Sequence, residues 1–158
     1  MYAIPAFIQD LEKLTAVWAP DVLETMFFAT AIPVERAETE QPSFEVRVGF
    51  RGSPSGVFFL IISARVATAL AAGFLGMDDA DVGPMEASQV ACEMANMVCG
   101  SVLSRAESDT GFELSSPVLV EPEPDAGEER EWRAYFEVDL GDAIQVRFRV
   151  DETAMVAV

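Results

Sequence analysis

Glu93 and Asn96 are of types that do chemistry, and they stand three residues apart. On a helix, residues at i and i+3 are neighbours on one face. A carboxylate there can pair with a cation, and a carboxamide is donor and acceptor at once. Gln89, a turn earlier, and Gly100, a turn later, continue the same outward stripe, and the glycine lets a partner's backbone come close. The element that must position them is the stretch 85–107, which reads as one long helix opening just after Pro84. Ala91, Met94, Ala95, Val98 and Val102 recur on its other side at helical spacing, the apolar stripe of a helix lying on a core.

Composition narrows what this pair can serve. A chain of 158 residues with 51% apolar content fits one domain with a core of its own. Its net charge of -17 repels nucleic acid backbones and anionic lipid, so neither is an expected partner. No histidine is present, which excludes a Ser-His-Asp triad, a His-ligated metal and a histidine proton shuttle. Ser88, Ser101 and Ser104 have no base to activate them. Cys92 and Cys99 lie about 10 Å apart along one helix, too far for a disulfide, and lean toward its packed side. With no signal peptide recognisable, they point to the reducing cytoplasm.

Taken in order, residues 6–18 read as a first helix, an N-terminal extension over 1–19. Pro20 restarts the chain into a second helix over 21–30, which ends before Ile32-Pro33. Phe44, Val46, Val48 and Phe50 alternate with polar residues and glycine, and residues 52–56 turn that strand into the apolar run 57–62, a hairpin. The window 57–75 is the most hydropathic, but Arg65 near its centre would cost about 2.5–3.5 kcal/mol in a bilayer. It reads as a buried strand followed by a helix stopped by Gly76. The acidic loop 78–81 lacks the spaced ligands and closing glutamate of a calcium loop, so no metal is expected there. Residues 112–120 read as a strand around Pro117, residues 121–130 as an acidic, proline-rich loop, and residues 132–150 as a second hairpin.

These elements repeat in kind, a helix with three strands on either side of a linking helix. Matching Glu24 to Glu93 sets Phe27 where the later copy has Asn96, leaving one polar pair. The expected architecture is α+β, a six-stranded, largely antiparallel sheet with long helices on one face.

Glu93-Met-Ala-Asn96-Met-Val-Cys-Gly100, with Pro117 downstream, resembles the signature of the chemotaxis phosphatases of the CheC, CheX and FliY group, most of all the single-site CheX type. The resemblance runs from about residue 43 through the helix to Pro117 and the strands beyond. Two positions depart from the pattern. Gln89 stands where the family has Asp or Ser, with Ser88 one place out of register, and Pro117 follows Asn96 sooner than usual. The resemblance implies a phosphatase acting on the aspartyl phosphate of a CheY-like receiver domain. Asn96 would then hold the attacking water and Glu93 would pair with the receiver's lysine, while Gln89, Gly100 and Pro117 contribute to binding. No cofactor of its own is implied, since the magnesium ion belongs to the receiver. Gln89 keeps open a second reading, a module of the same fold that binds a receiver or dimerises without turnover. A homodimer is also implied, and the strand 144–150, read as a sheet edge, offers Arg147 and Arg149 to match a partner's acids.

Overall fold

A computed structural model describes residues 4–106, 111–121 and 131–151. The expected loop over 121–130 falls outside them except for Glu121.

The first element is α1, Ile4–Phe27, one continuous helix with Pro20 inside it, rather than an extension followed by a second helix. Pro20 has no N–H for the preceding turn, which is why the local sequence suggests a break there. Burial overrides that cue: Phe7, Leu11, Thr15, Ala19, Leu23 and Phe27 form a single buried stripe running past the proline. The part of α1 before the proline is thus joined to the core through Phe7, Leu11, Thr15 and Ala19.

A short strand, β1 (Ala31–Val34), follows, and then the hairpin β2 (Ser43–Arg51) and β3 (Gly56–Ser63). Gly56 admits no side chain, because a Cβ there would lie 2.2 Å from the carbonyl oxygen of Arg149. The linking helix α2, Ala64–Leu75, is bounded as its sequence suggests. The Ser63 hydroxyl accepts from the Val66 N–H at 3.1 Å, and Gly76 closes the helix at φ 69°. Arg65, the charge within the apolar window, points outward to Glu40 at 2.7 Å. No described helix is long and apolar enough to cross a membrane. The acidic loop after α2 is a 3-10 turn over Asp79–Asp81.

Helix α3, Pro84–Leu103, places Pro84 in its first turn, where a missing N–H costs nothing. Glu86 reaches back to accept from the Gly83 N–H at 3.4 Å. Beyond α3, the strand around Pro117 is split into β4 (Glu113–Leu114) and β5 (Val118–Val120), both paired with β2. At the break the Ser115 hydroxyl accepts from the Gly49 N–H at 2.8 Å, replacing a ladder bond. The hairpin β6 (Glu131–Val138) and β7 (Asp142–Val150) completes the chain.

The sheet order is β1-β6-β7-β3-β2, with β4 and β5 sharing the outer edge beside β2, and every pairing is antiparallel. The expected two halves interleave, because β1 of the first pairs with β6 of the second while β5 of the second pairs with β2 of the first. The glutamate-to-glutamate match does not carry this repeat. It sets Leu23 and Phe27, both buried, against the half-buried Cys92 and Asn96, so the packed stripes fall out of phase. The strand expected at an edge is also elsewhere: β7 lies at the centre between β6 and β3. Arg147 is accordingly buried, 3.3 Å from Glu45 and stacked over the Phe59 ring at 4.7 Å. Among the described strands, the edges of the sheet are β1 and the β4 and β5 side.

One face of the sheet, including Val46, Val48, Phe58, Leu60, Val146 and Phe148, joins the buried faces of all three helices in a single core. Helix α3 contributes Ala91, Met94, Ala95, Val98 and Val102 to it, which are the residues of the expected apolar stripe. That anchoring turns the opposite stripe outward.

Candidate functional site

Asn96 is the only asparagine in the chain, and the packing of α3 brings it to the surface. On the outward stripe Gln89 and Glu93 are exposed, and Asn96 and Gly100 are half-buried. No hydrogen bond or ion pair among the described residues ties the side chain of Glu93 or Asn96, so both heads face outward unengaged. Ser88 does not stand in for the missing Asp or Ser, because its hydroxyl donates to the Met85 carbonyl at 2.9 Å.

Beside the pair runs an open groove of about 770 Å³. Phe74 and Leu75, at the end of α2, form one wall, Pro117, Val118 and Leu119 the other, and Ser88, Gln89, Val90, Cys92 and Glu93 of α3 the floor. Three of the residues singled out in the sequence, Gln89, Glu93 and Pro117, thus meet in one groove, and Asn96 lies on the next turn of α3. Gly100 is not part of it. It lines a separate hollow of about 220 Å³ with Ser104, Phe112 and Leu114. A Cβ at Gly100 would meet Leu114 at 3.5 Å, an ordinary contact, so packing does not demand a glycine there.

The apolar walls are what sequence reasoning missed. Leu75, Val118 and Leu119 are exposed. A signal was present in Val118-Leu119-Val120, since an alternating edge strand with one buried face has no use for three apolar residues in a row.

The thiols offer no rival chemistry. Burial pushes the Cys99 thiol far up, and Cys92 is raised first by partial burial and then by the charge of Glu93. Raised thiols are poor nucleophiles at neutral pH. What remains is a carboxylate and a carboxamide, held side by side by a rigid helix. Such a pair can bind a cation and orient a water molecule, and it has no nucleophile of its own.

Comparison with known proteins shows the family and the fold. Residues 44–137 match the family described as "Chemotaxis phosphatase CheX". No curated protein matches the sequence. Among solved structures, a chemotaxis protein CheX from Desulfovibrio desulfuricans is 16% identical with a TM-score of 0.69, covering 90% of this chain and 99% of that one. A CheX from Borrelia burgdorferi, solved in complex with CheY, BeF3 and Mg2+, is 20% identical with a TM-score of 0.65, covering 92% of this chain and 98% of that one. FliY from Thermotoga maritima is 12% identical with a TM-score of 0.61, covering 98% of this chain and 94% of that one. At these identities the structural likenesses establish the fold. The family match takes in β2 through most of β6, with α3 and its outward pair inside it, and on that ground the chain belongs to the CheX family.

Proposed function

We propose that this chain accelerates hydrolysis of the aspartyl phosphate on a CheY-like receiver domain. The observation that carries the proposal is the Glu93 and Asn96 pair, turned outward by a helix whose other face is locked in the core and engaged by no described neighbour. An aspartyl phosphate is a mixed anhydride, already activated, which chiefly lacks a water molecule in line with its scissile bond. Asn96 supplies that position, accepting one water proton at Oδ1 and so fixing the water's orientation without acting as a base. The water oxygen bonds to phosphorus, the bond from phosphorus to the acyl oxygen breaks, and the aspartate leaves as a carboxylate. The water's proton passes to solvent. Glu93 pairs with the receiver's active-site lysine and sets the docking register. The magnesium ion that screens the phosphoryl oxygens is the receiver's own. The CheX that is known in complex with CheY supports the class of partner.

A second reading is kept by Gln89, which lines the groove where the family has Asp or Ser. In that reading the chain binds receivers without turnover. One experiment separates the two. The purified protein is mixed with a panel of phosphorylated receiver domains and phosphate release is followed. Release above the receiver's own rate is the expected result, and binding without release would select the second reading.

A further inference from the structure

The face of the sheet turned away from the core carries no described helix. One row of residues on it runs Arg133, Arg147, Phe59, Arg47 and Val118 across β6, β7, β3, β2 and β5. Arg149 stands on the same face, opposite Val57. In a chain of net charge -17 this gathers arginines in one place, with Arg133 and Arg147 directly opposed, a pairing that by itself costs stability. Glu131 answers Arg133 at 2.6 Å, and Glu45 answers Arg147 at 3.3 Å. No described residue forms an ion pair with Arg47 or Arg149, and the Arg147 Nε is buried with no described hydrogen-bond partner. Phe59, beneath the guanidinium groups of Arg147 and Arg149, is only 3% exposed on this helix-free face. The stretch 35–42 reaches only the far end of it, where the Thr39 hydroxyl donates to the Ala143 carbonyl at 3.1 Å.

The ends of β5 and β6 say what belongs there. Val120 closes β5 opposite Glu45, and Glu131 opens β6 opposite Arg149. These two strands run parallel, with β2, β3 and β7 between them. Joining them takes a diagonal of about 23 Å, from four strand spacings and four residues of rise. The chain from Val120 to Glu131 reaches about 36 Å at full extension, so it lacks the length to pass outside a helix layer about 10 Å thick and return. Handedness agrees. The parallel strands β3 and β5 are joined through α2 and α3 on the core face, so a connection of the same hand running back from β5 to β6 falls on the other face. The stretch holds Glu121, Glu123, Asp125, Glu128 and Glu129. An outside anionic partner, or a second copy, meets the repulsion of the whole acidic chain, whereas a tethered stretch does not. We infer that the arginine face of the sheet is a docking surface for the chain's own acidic stretch 121–130, whose carboxylates pair with Arg47 and Arg149. This holds whether or not the chain hydrolyses aspartyl phosphate.

The test is arginine labelling of the full chain with phenylglyoxal, read residue by residue by mass spectrometry. The variant combines Glu123→Gln, Asp125→Asn, Glu128→Gln and Glu129→Gln. A control protein carries Asp78→Asn, Asp79→Asn and Asp81→Asn on the turn after α2. Arg47 and Arg149 are expected to react about threefold faster or more in the variant than in the wild type or the control. Arg105, held over the Trp18 ring at 3.5 Å, is expected to keep its rate. Rates at Arg47 and Arg149 that match between a folded variant and the wild type overturn the inference. Fast matching rates leave the face to an outside partner, and slow ones that rise on dilution give it to a second copy. If the variant loses its fold, which acceleration at Arg105 reports, the wild type in rising NaCl decides, because salt screens such pairs. A rise at Arg47 and Arg149 then sustains the inference, and level rates overturn it.

Discussion

Asn96 sits outward on a helix, tied by no described neighbour, so replacing it should separate chemistry from folding. Asn96→Ala exchanges a surface residue for the best helix former and should leave melting unchanged or slightly raised. Its single-turnover rate should fall by about 10² to 10³, about 2.7–4 kcal/mol, the scale for removing one preorganised hydrogen-bonding group. More receiver should not rescue it. Glu93→Ala should weaken association instead, so its defect should shrink as receiver concentration rises. Wild-type rates from a folded Asn96→Ala protein would remove Asn96 from the mechanism. A second residue-scale expectation concerns Cys99, whose buried thiol resists ionisation in the folded state. A raised folded pKa means the native state keeps a proton that the unfolded chain gives up. Stability is therefore held in full below the unfolded thiol pKa, about 8.5, and falls as pH rises toward the folded value, by at most about 1.4 kcal/mol per pH unit. Urea unfolding between pH 7 and 10 should show this slope, and Cys99→Ala, though less stable at pH 7, should show a shallower one, left by the raised thiol of Cys92.

At the scale of elements, α2 and α3 are legible from the sequence because their boundary signals are local. Ser63 and Gly76 bracket one, Pro84 starts the other, and the apolar stripe of α3 is the stripe it buries. Helix α1 is not legible in the same way, since Pro20 is a strong local stop and the force that overrides it is burial against α3 and the sheet. The cost of that override is open to measurement. Pro20→Ala restores an N–H to the helix while loosening the unfolded chain, and a net gain of about 1–2 kcal/mol in denaturant unfolding is expected. A loss would mean that the proline ring makes packing contacts worth more than the hydrogen bond. The split of the strand at Pro117 is a similar case, because its breaking point depends on Ser115 meeting Gly49 across the sheet.

For the whole molecule, strand order decides what is available for assembly. Burial of Arg147 within β7 removes it from any edge, so a homodimer that extends the sheet has only β1 and the β4 and β5 side to use among the described strands. Pairing through β1, where Ile32 is exposed, would leave the groove free. Light scattering at micromolar concentration is expected to return twice the chain mass of 17.1 kDa, and Ile32→Lys should shift it toward monomer. A wild type that scatters as a monomer would rule out the dimer at that concentration.

By itself the sequence determined the helix that presents Glu93 and Asn96, because side-chain periodicity and capping act within a few residues of one another. The repeat in kind, the two hairpins and the absence of histidine chemistry were readable for the same reason. Tertiary structure alone decided that α1 runs through its proline, that β7 is central and that the halves interleave. It also decided that Pro117, Val118 and Leu119 close a groove against Leu75. Those outcomes depend on which distant strands pair and which faces bury each other, and alternation along a single strand carries no record of its neighbours.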